Sequence, residues 1–157
     1  MKEPGIKKIL AAVDFSDSTN DVINMTRKMA LIMEAEVAIL HTIAPANVVH
    51  YYYGVQGPFY IKDFQAEERK HSLYTMNILK HKLEEARVNA HTILLEGPTV
   101  ENILAEAEAF NADLIITGAH HHGALYSFFV GSVSEKLIHK VSCPIMIVPH
   151  RKRSEED

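Results

Sequence analysis

Residues 112–149 constrain the fold of this chain more than any other stretch. The segment opens with the apolar run ADLIIT, which predicts a buried strand that ends at Gly118. A loop with three successive histidines follows, and Gly131-Ser132 then begins a run with helical spacing. Pro144 ends this helix, and the apolar sequence IMIV predicts a further buried strand. This order of elements predicts half of a parallel α/β sheet, in which ligands bind at the carboxyl ends of the strands.

The remainder of the chain continues the same alternation. Apolar runs predict three more strands, at residues 6–13, 36–42 and 89–95. Stretches with helical spacing separate them, so the count is five strands and four helices. This pattern predicts a three-layer, doubly wound α/β domain over residues 1–150, followed by a charged tail at 151–157.

The helices are predicted from their turn residues and their apolar stripes. Ser16 and Asp17 are good N-cap residues for the first helix, which runs to about Met33. The second helix spans about 63–87, and the third starts at the Gly97-Pro98-Thr99 turn. The predicted core-facing residues are Val22, Met25, Met29, Ile32 and Met33; then Tyr74, Ile78, Leu79, Leu83 and Ala86; then Val100, Ile103, Leu104 and Ala107; and finally Val133, Leu137, Ile138 and Val141.

Composition excludes several classes of protein. A length of 157 residues suits one domain with a sizeable core, and the net charge of −4 argues against a dedicated nucleic-acid binder. The single cysteine, Cys143, cannot form an internal disulfide and is predicted to be a buried thiol, which fits a reducing cytoplasm. The sequence MKEPGIKK lacks the apolar core of a secretory signal, and no apolar run approaches the ~20 residues of a membrane span.

The glycine patterns exclude two common phosphate-binding motifs. Gly118 and Gly123 have the spacing of a P-loop, but Ala124-Leu125 stand where its lysine and hydroxyl residue belong. No G-x-G-x-x-G follows the first strand, so the usual dinucleotide fingerprint is absent. The turn at Gly131-Ser132 has two interpretations. It is an anion site at a helix N-terminus, or Ser132 or Ser134 simply caps the helix.

The histidines and serines do not predict a metal centre or a catalytic set. His120, His121 and His122 are successive loop residues that seldom converge on one ion, and no cysteine or carboxylate lies nearby at metal-ligand spacing. Ser132 and a loop histidine could be considered as a catalytic nucleophile and base, but the sequence indicates no third group that would orient this pair. No metal site and no catalytic residue is therefore predicted.

The carboxyl half of the chain resembles a universal stress protein domain. The matching residues are Gly118, then His121 after two residues, then Gly131-Ser132 after nine more, and finally the sequence CPIMIVP. The resemblance extends over nearly the whole chain and implies the strand order 3-2-1-4-5. That order places a switch point between strands one and four, where Asp14 and Gly118 would face each other.

The resemblance also implies a site for ATP or AMP, with or without Mg²⁺. Asp14 would contact the adenine or ribose beside Ala12 and Val13, and the backbone near Thr42 would read the adenine edge. The implied ribose and phosphate residues are Gly118, Ala119, His121, His122, Gly131, Ser132, Val133 and Ser134. His121 departs from the family, whose nucleotide-binding members have glycine there. Either the His121 side chain prevents the backbone from approaching a phosphate closely, or its ring donates a hydrogen bond to the phosphate.

The resemblance implies a homodimer through the last strand, between Pro144 and Pro149, and an unknown regulatory partner. Three functional hypotheses follow: a nucleotide-binding regulatory module, a nucleotide-free dimeric stress protein, and a slow ATPase or adenylyl-group enzyme. Tyr51, Tyr52 and Tyr53 lie in a long connection that either closes over a ligand or covers neighbouring apolar surface.

Overall fold

The structure is a computed structural model that describes residues 5–43, 45, 58–119 and 132–150, with the backbone alone at 58–62. The elements are β1 (Lys8–Ala12), α1 (Thr19–Met33), β2 (Glu36–Ile43), α2 (Pro58–Glu85), β3 (Ala90–Glu96), α3 (Thr99–Phe110), β4 (Leu114–Gly118), α4 (Ser132–Ile138) and β5 (Ile145–Val148). The predicted tail at 151–157 and the three tyrosines at 51–53 lie outside the described residues.

The five strands form one parallel sheet in the order β3-β2-β1-β4-β5, as the resemblance implied. β1 is the central strand, and its last residue, Ala12, is aligned with Leu40 of β2 and Thr117 of β4. The strands are apolar because both faces of the sheet are covered. The predicted doubly wound α/β architecture is confirmed.

Two apolar cores lie on the two faces of the sheet. Ile9 and Ala11 point into a core completed by α1 and α2, whereas Leu10 and Ala12 point into a core completed by α3 and α4. This alternation follows from the two-residue period of a strand. Because β1 contributes to both cores, its residues 9–11 are fully buried.

The start of α1 corrects the predicted cap. The N-cap is Ser18 rather than Ser16 or Asp17, and its side chain makes no capping hydrogen bond. The Ser16 carbonyl instead accepts a hydrogen bond from the Thr19 N–H, at 3.0 Å, so a tight turn precedes the helix.

The start of α2 corrects the predicted boundary at residue 63. The helix begins at Pro58, because proline is well tolerated in the first turn of a helix.

The predicted burial of four side chains is wrong. Ile32, Tyr74, Ile78 and Ile138 are 72%, 67%, 42% and 50% exposed. In α2 the buried stripe is narrow and follows Ser72, Met76, Leu79 and Leu83, so side chains two positions from Met76 point away from the sheet. Ile138 is the last residue of α4. Ala86 lies just beyond the end of α2.

The other predicted core positions agree with the structure. Val22, Leu79, Leu83, Val100, Ile103, Ala107 and Leu137 are buried, and Met25, Met29, Met33, Leu104, Val133 and Val141 pack against the cores. Within the described part of the chain, no helix is long and apolar enough to cross a membrane.

Candidate functional site

A cleft lies beyond the carboxyl ends of β1 and β4, at the centre of the sheet. It is enclosed by the carboxyl ends of β1, β2 and β4 and by the first turns of α1, α3 and α4, and its cavity volume is about 60 Å³. One bound water requires roughly 10–15 Å³, so the cleft accommodates a larger group. Its walls are formed by Ala12, Val13, Asp14, Ser18, Thr19, Val22, Leu40, Thr42, Thr99, Ile103, Thr117, Gly118, Val133 and Ser134.

Asp14 stands at the mouth of this cleft, directly after β1, and is exposed. Its Oδ1 accepts a hydrogen bond from the Ser16 N–H at 3.0 Å, which holds the carboxylate over the turn into α1. The residue between them, Phe15, has a φ of 60°. A left-handed backbone is uncommon for a bulky residue, so this turn is held in shape by its contacts.

His41 supplies one of those contacts from β2. Its Nδ1 lies 2.8 Å from the Val13 carbonyl oxygen and must carry the proton, since a carbonyl only accepts. The Phe15 ring stacks on the imidazole with the ring centroids 3.9 Å apart. Burial lowers the pKa of His41, and the Val13 hydrogen bond and the carboxylates of Asp14 and Glu68 oppose that effect only in part. These contacts explain His41 as a neutral support for the Asp14 turn.

Gly118 closes the cleft at the end of β4, where α1 passes very near. A Cβ at this position would lie 2.5 Å from Ser18 Oγ, 3.2 Å from Ser18 Cβ and 3.3 Å from Val22 Cγ2. The absence of a side chain therefore permits α1 to pack against β4. This packing accounts for the glycine without any ligand.

Ser134 is buried at the start of α4 and contributes a second link to the same strand. Its hydroxyl donates to the Gly118 carbonyl oxygen at 3.3 Å, which ties the start of α4 to the end of β4. Ser132 is the first residue of α4 and is exposed.

Thr99 and Thr19 are cleft residues that the sequence did not predict. The Thr99 hydroxyl lies 2.7 Å from the Thr42 hydroxyl, and Thr19 is 7% exposed with its Oγ1 buried and without a hydrogen-bond partner. Both follow a strand end and open a helix, which is the signal that identifies such positions in a doubly wound sheet. They add hydroxyl groups to a cleft whose inner walls are mainly apolar.

The structure brings together seven of the twelve predicted nucleotide-binding residues. Those lining the cleft are Ala12, Val13, Asp14, Thr42, Gly118, Val133 and Ser134. Ala119 directly follows Gly118, and Ser132 directly precedes Val133, so each is one residue away from the cleft wall. The Ala119 N–H donates to the Val148 carbonyl at 2.9 Å. The remaining predicted residues, His121, His122 and Gly131, lie outside the described residues.

The described ranges contain no group of three histidine, cysteine or acidic side chains able to hold a metal ion. The three successive histidines at 120–122 fall outside those ranges. Cys143 is half-buried, and burial raises the pKa of its thiol, so it is not disposed to react as a thiolate.

Comparison with known proteins assigns the chain to a family. The model of the universal stress protein family matches residues 5–149. This chain is a member of the universal stress protein family. Universal stress protein YxiE of Bacillus subtilis is 28% identical over 146 residues, which are 90% of this chain and 97% of that relative.

Solved structures of universal stress proteins share the fold. The structure of MJ0577 from Methanocaldococcus jannaschii has a TM-score of 0.77 and 26% identity, and the match covers 96% of this chain and all of that one. A universal stress protein in complex with cAMP (TM-score 0.66, 15% identity, 94% of this chain and 100% of that one) has the same fold. A universal stress protein from Archaeoglobus fulgidus in complex with dAMP also has this fold. Its TM-score is 0.64 and its sequence identity is 20%, and the match covers 90% of this chain and 97% of that one.

Proposed function

We propose that this universal stress protein is a non-enzymatic regulatory module that binds ATP or AMP in the cleft between β1 and β4. It would act through homodimerisation and through a regulatory partner protein. The observation that supports this proposal best is the cleft itself. It lies at the switch point of a doubly wound sheet, where such folds bind ligands, and it carries an exposed carboxylate, Asp14, beside apolar walls.

The chemistry of the walls fits an adenine nucleotide. A carboxylate at the mouth of the cleft is a natural acceptor for the paired hydroxyl groups of a ribose. Val13 and the half-buried Val133 offer apolar surface to a flat base. Relatives with this fold have been crystallised with cAMP and with dAMP, which supports the same class of ligand here.

The regulatory assignment rests on the kind of polar group that lines the cleft. Apart from Asp14, the described polar residues of the walls are serines and threonines, and His41 is already bonded to Val13. Acid–base catalysis requires titratable groups positioned at the reacting atoms. We therefore expect any hydrolysis of ATP to be slow and incidental, and Mg²⁺ would enter only as a companion of the phosphates.

One observation favours a second candidate function. Because Ser18 and Val22 already require a glycine at position 118, this glycine alone does not indicate a phosphate site. A nucleotide-free stress protein, with His121 obstructing the phosphates and dimerisation as its activity, would need the same residue. The two candidates differ only in whether the purified protein holds nucleotide.

The proposed homodimer uses the outer edge of β5. Ile115 of β4 donates to the Pro144 carbonyl at 3.0 Å, and Ala119 donates to the Val148 carbonyl at 2.9 Å. Along a strand of a parallel pair, the backbone N–H and C=O groups of one residue bond to the neighbouring strand, and those of the next residue point away from it. The backbone groups of Ile145 and Ile147 therefore face the edge, where a second copy can pair with them.

Mass spectrometry of the denatured supernatant, followed by calorimetric titration with ATP and AMP, tests nucleotide binding. We expect a co-purified adenine nucleotide that Asp14→Ala or Gly131→Val removes. Asp17→Ala is the matched control, because Asp17 is an exposed carboxylate of the same turn that does not line the cleft. An empty protein that shows no heat with either nucleotide would leave the nucleotide-free dimer as the function.

Light scattering with the Ile147→Pro variant tests the dimer. Proline removes an edge N–H without removing a bond to β4, so we expect a monomer with an unchanged circular dichroism spectrum. A variant that remains dimeric would place the dimer interface elsewhere.

A further inference from the structure

We propose that His41 is a positioning residue for the nucleotide, because it holds Asp14 where the carboxylate can bind the ribose hydroxyls. This inference rests on the proposed function and identifies what orients the carboxylate in the cleft. Asp14 lines the cleft, whereas His41 lies on β2 and is not part of its wall. His41 therefore acts through Asp14 and not by touching the ligand.

One imidazole ring holds both chain neighbours of Asp14. On the preceding side, Nδ1 of His41 donates a hydrogen bond to the Val13 carbonyl oxygen at 2.8 Å. On the following side, the Phe15 ring stacks on the imidazole, with the ring centroids 3.9 Å apart and an interplanar angle of 29°. Because these two contacts flank Asp14, they fix the backbone from which its side chain extends.

The hydrogen bond from His41 extends the hold of β2 on β1 beyond the end of the strand. β1 ends at Ala12, and the Val13 N–H still donates to the Leu40 carbonyl of β2 at 2.9 Å. The Val13 carbonyl belongs to the peptide bond that leads into Asp14, and its donor is the His41 side chain rather than a backbone group. β2 thus fixes the orientation of the peptide unit that carries Asp14.

The backbone of Phe15 makes the second contact necessary. Its φ of 60° is left-handed, which is unfavourable for a bulky residue and persists where surrounding contacts hold it. With the turn in this shape, the Ser16 N–H reaches Asp14 Oδ1 at 3.0 Å. A carboxylate has about four acceptor sites, so this bond leaves capacity for the two hydroxyls of a ribose.

A neutral imidazole suits this role better than a charged side chain. Burial lowers the pKa of His41, so the ring carries no charge at neutral pH. A cation at position 41 would form an ion pair with the Asp14 carboxylate and compete with the ligand for its oxygens. The neutral ring holds the backbone on both sides of Asp14 and leaves the charge of the carboxylate to the cleft.

The test measures, by calorimetry, the Kd of AMP and of 2′,3′-dideoxy-AMP, which lacks both ribose hydroxyls. His41→Phe keeps a ring against Phe15 but cannot donate to Val13, whereas His41→Asn places an N–H donor near the position of Nδ1. We expect His41→Phe to bind AMP about fivefold more weakly than wild type, the effect of one hydrogen bond, and His41→Asn to stay within about twofold.

The dideoxy compound distinguishes a positioning role from a general loss of structure. Wild type should bind it about tenfold more weakly than AMP, since the Asp14 carboxylate then lacks its partners on the ligand. His41→Phe should bind it within about twofold of wild type, because the position of the carboxylate no longer matters for this ligand. His91→Phe is the matched control and should bind both compounds like wild type, since His91 contacts Phe110 and does not line the cleft.

Two results would overturn the inference and leave the proposed function standing. If His41→Phe lowers only the thermal unfolding midpoint and leaves both Kd values unchanged, the histidine is purely structural. If it weakens the binding of both compounds equally, His41 shapes the cleft as a whole and does not act through Asp14. His41→Leu repeats the test where circular dichroism shows that His41→Phe is not folded.

Two results with wild type alone would also overturn it. If wild type binds AMP and the dideoxy compound equally well, Asp14 does not bind the hydroxyls and has no need to be positioned for them. If wild type binds neither compound, nor ATP, the proposed function fails together with this role.

Discussion

Ser18 and Gly118 pack so closely that a Cβ on the glycine would lie 2.5 Å from the serine Oγ. This contact holds the start of α1 against the end of β4 and shapes one side of the cleft. We expect Gly118→Ala to lower the free energy of unfolding by about 1–3 kcal/mol, because overpacking a rigid contact forces neighbouring atoms apart.

Urea denaturation of a double-mutant cycle measures this effect. Ser18→Ala removes the nearest atom, so the double variant should recover part of the loss. Gly5→Ala is the control, since a Cβ there meets nothing within 4 Å. A loss in the double variant equal to the sum of the two single losses would show that the two residues are not coupled.

His41 should make the protein less stable in mild acid. Its pKa is lowered in the folded state, mainly by burial, so the unfolded chain binds the proton more readily. Stability is therefore complete above the unfolded pKa, near 6.5, and falls as the pH drops through the lower folded pKa.

The variant His41→Asn keeps a donor near the Val13 carbonyl but removes the titrating ring. The free energies of unfolding of wild type and of this variant are compared, with their difference set to zero at pH 8. Between pH 7 and pH 5, wild type should lose more stability than the variant. Parallel pH curves would contradict a neutral, buried imidazole.

Asp113 joins the starts of β1 and β4. Its Oδ2 accepts hydrogen bonds from the N–H groups of Lys7 and Lys8, at 2.8 and 2.9 Å. Because the first of these bonds is exposed, we expect Asp113→Ala to cost about 1–2 kcal/mol, near the low end for bonds to a charged acceptor. Chemical denaturation would measure it, with the exposed Asp63→Ala on α2 as the control. A loss no larger than that of the control would exclude a stabilising role.

Glu34 offers a site for a stabilising change. It ends α1 with a left-handed backbone, φ 52° and ψ 48°, which costs an ordinary residue roughly 1–2 kcal/mol and glycine much less. Its ion pair with Lys7, at 3.8 Å, involves a carboxylate that is 88% exposed, so its loss matters little.

We therefore expect Glu34→Gly to raise the thermal unfolding midpoint. Asn111→Gly should raise it less, because asparagine tolerates the same conformation at the end of α3. An unchanged midpoint in Glu34→Gly would mean that the backbone there is not under strain.

Much of the architecture follows from the sequence alone. The apolar runs of β1, β2 and β4 are readable because central strands, which are covered on both faces, are mainly apolar. The alternation of strands and helices then implies a doubly wound sheet. The order of the strands came from the family resemblance, since periodicity carries no information about which strands are neighbours.

Only the tertiary structure decided which side chains face inward and which meet in the cleft. Ile32, Tyr74, Ile78 and Ile138 have the apolar character of core residues, yet each lies on a helix that touches the sheet along a narrow stripe. Helical spacing defines a face, but the width of the buried stripe depends on the neighbouring elements.

The cleft shows the same division between sequence and tertiary structure. Asp14 and Gly118 stand at strand ends that the apolar runs predict. Thr42 and Thr99 are separated by 57 positions, and their hydroxyls meet only because β2 and α3 pack side by side. Ser18 and Gly118 likewise come together through the packing of α1 on β4. Local sequence determines where each strand and helix ends, whereas contacts between distant segments depend on how the elements pack in three dimensions.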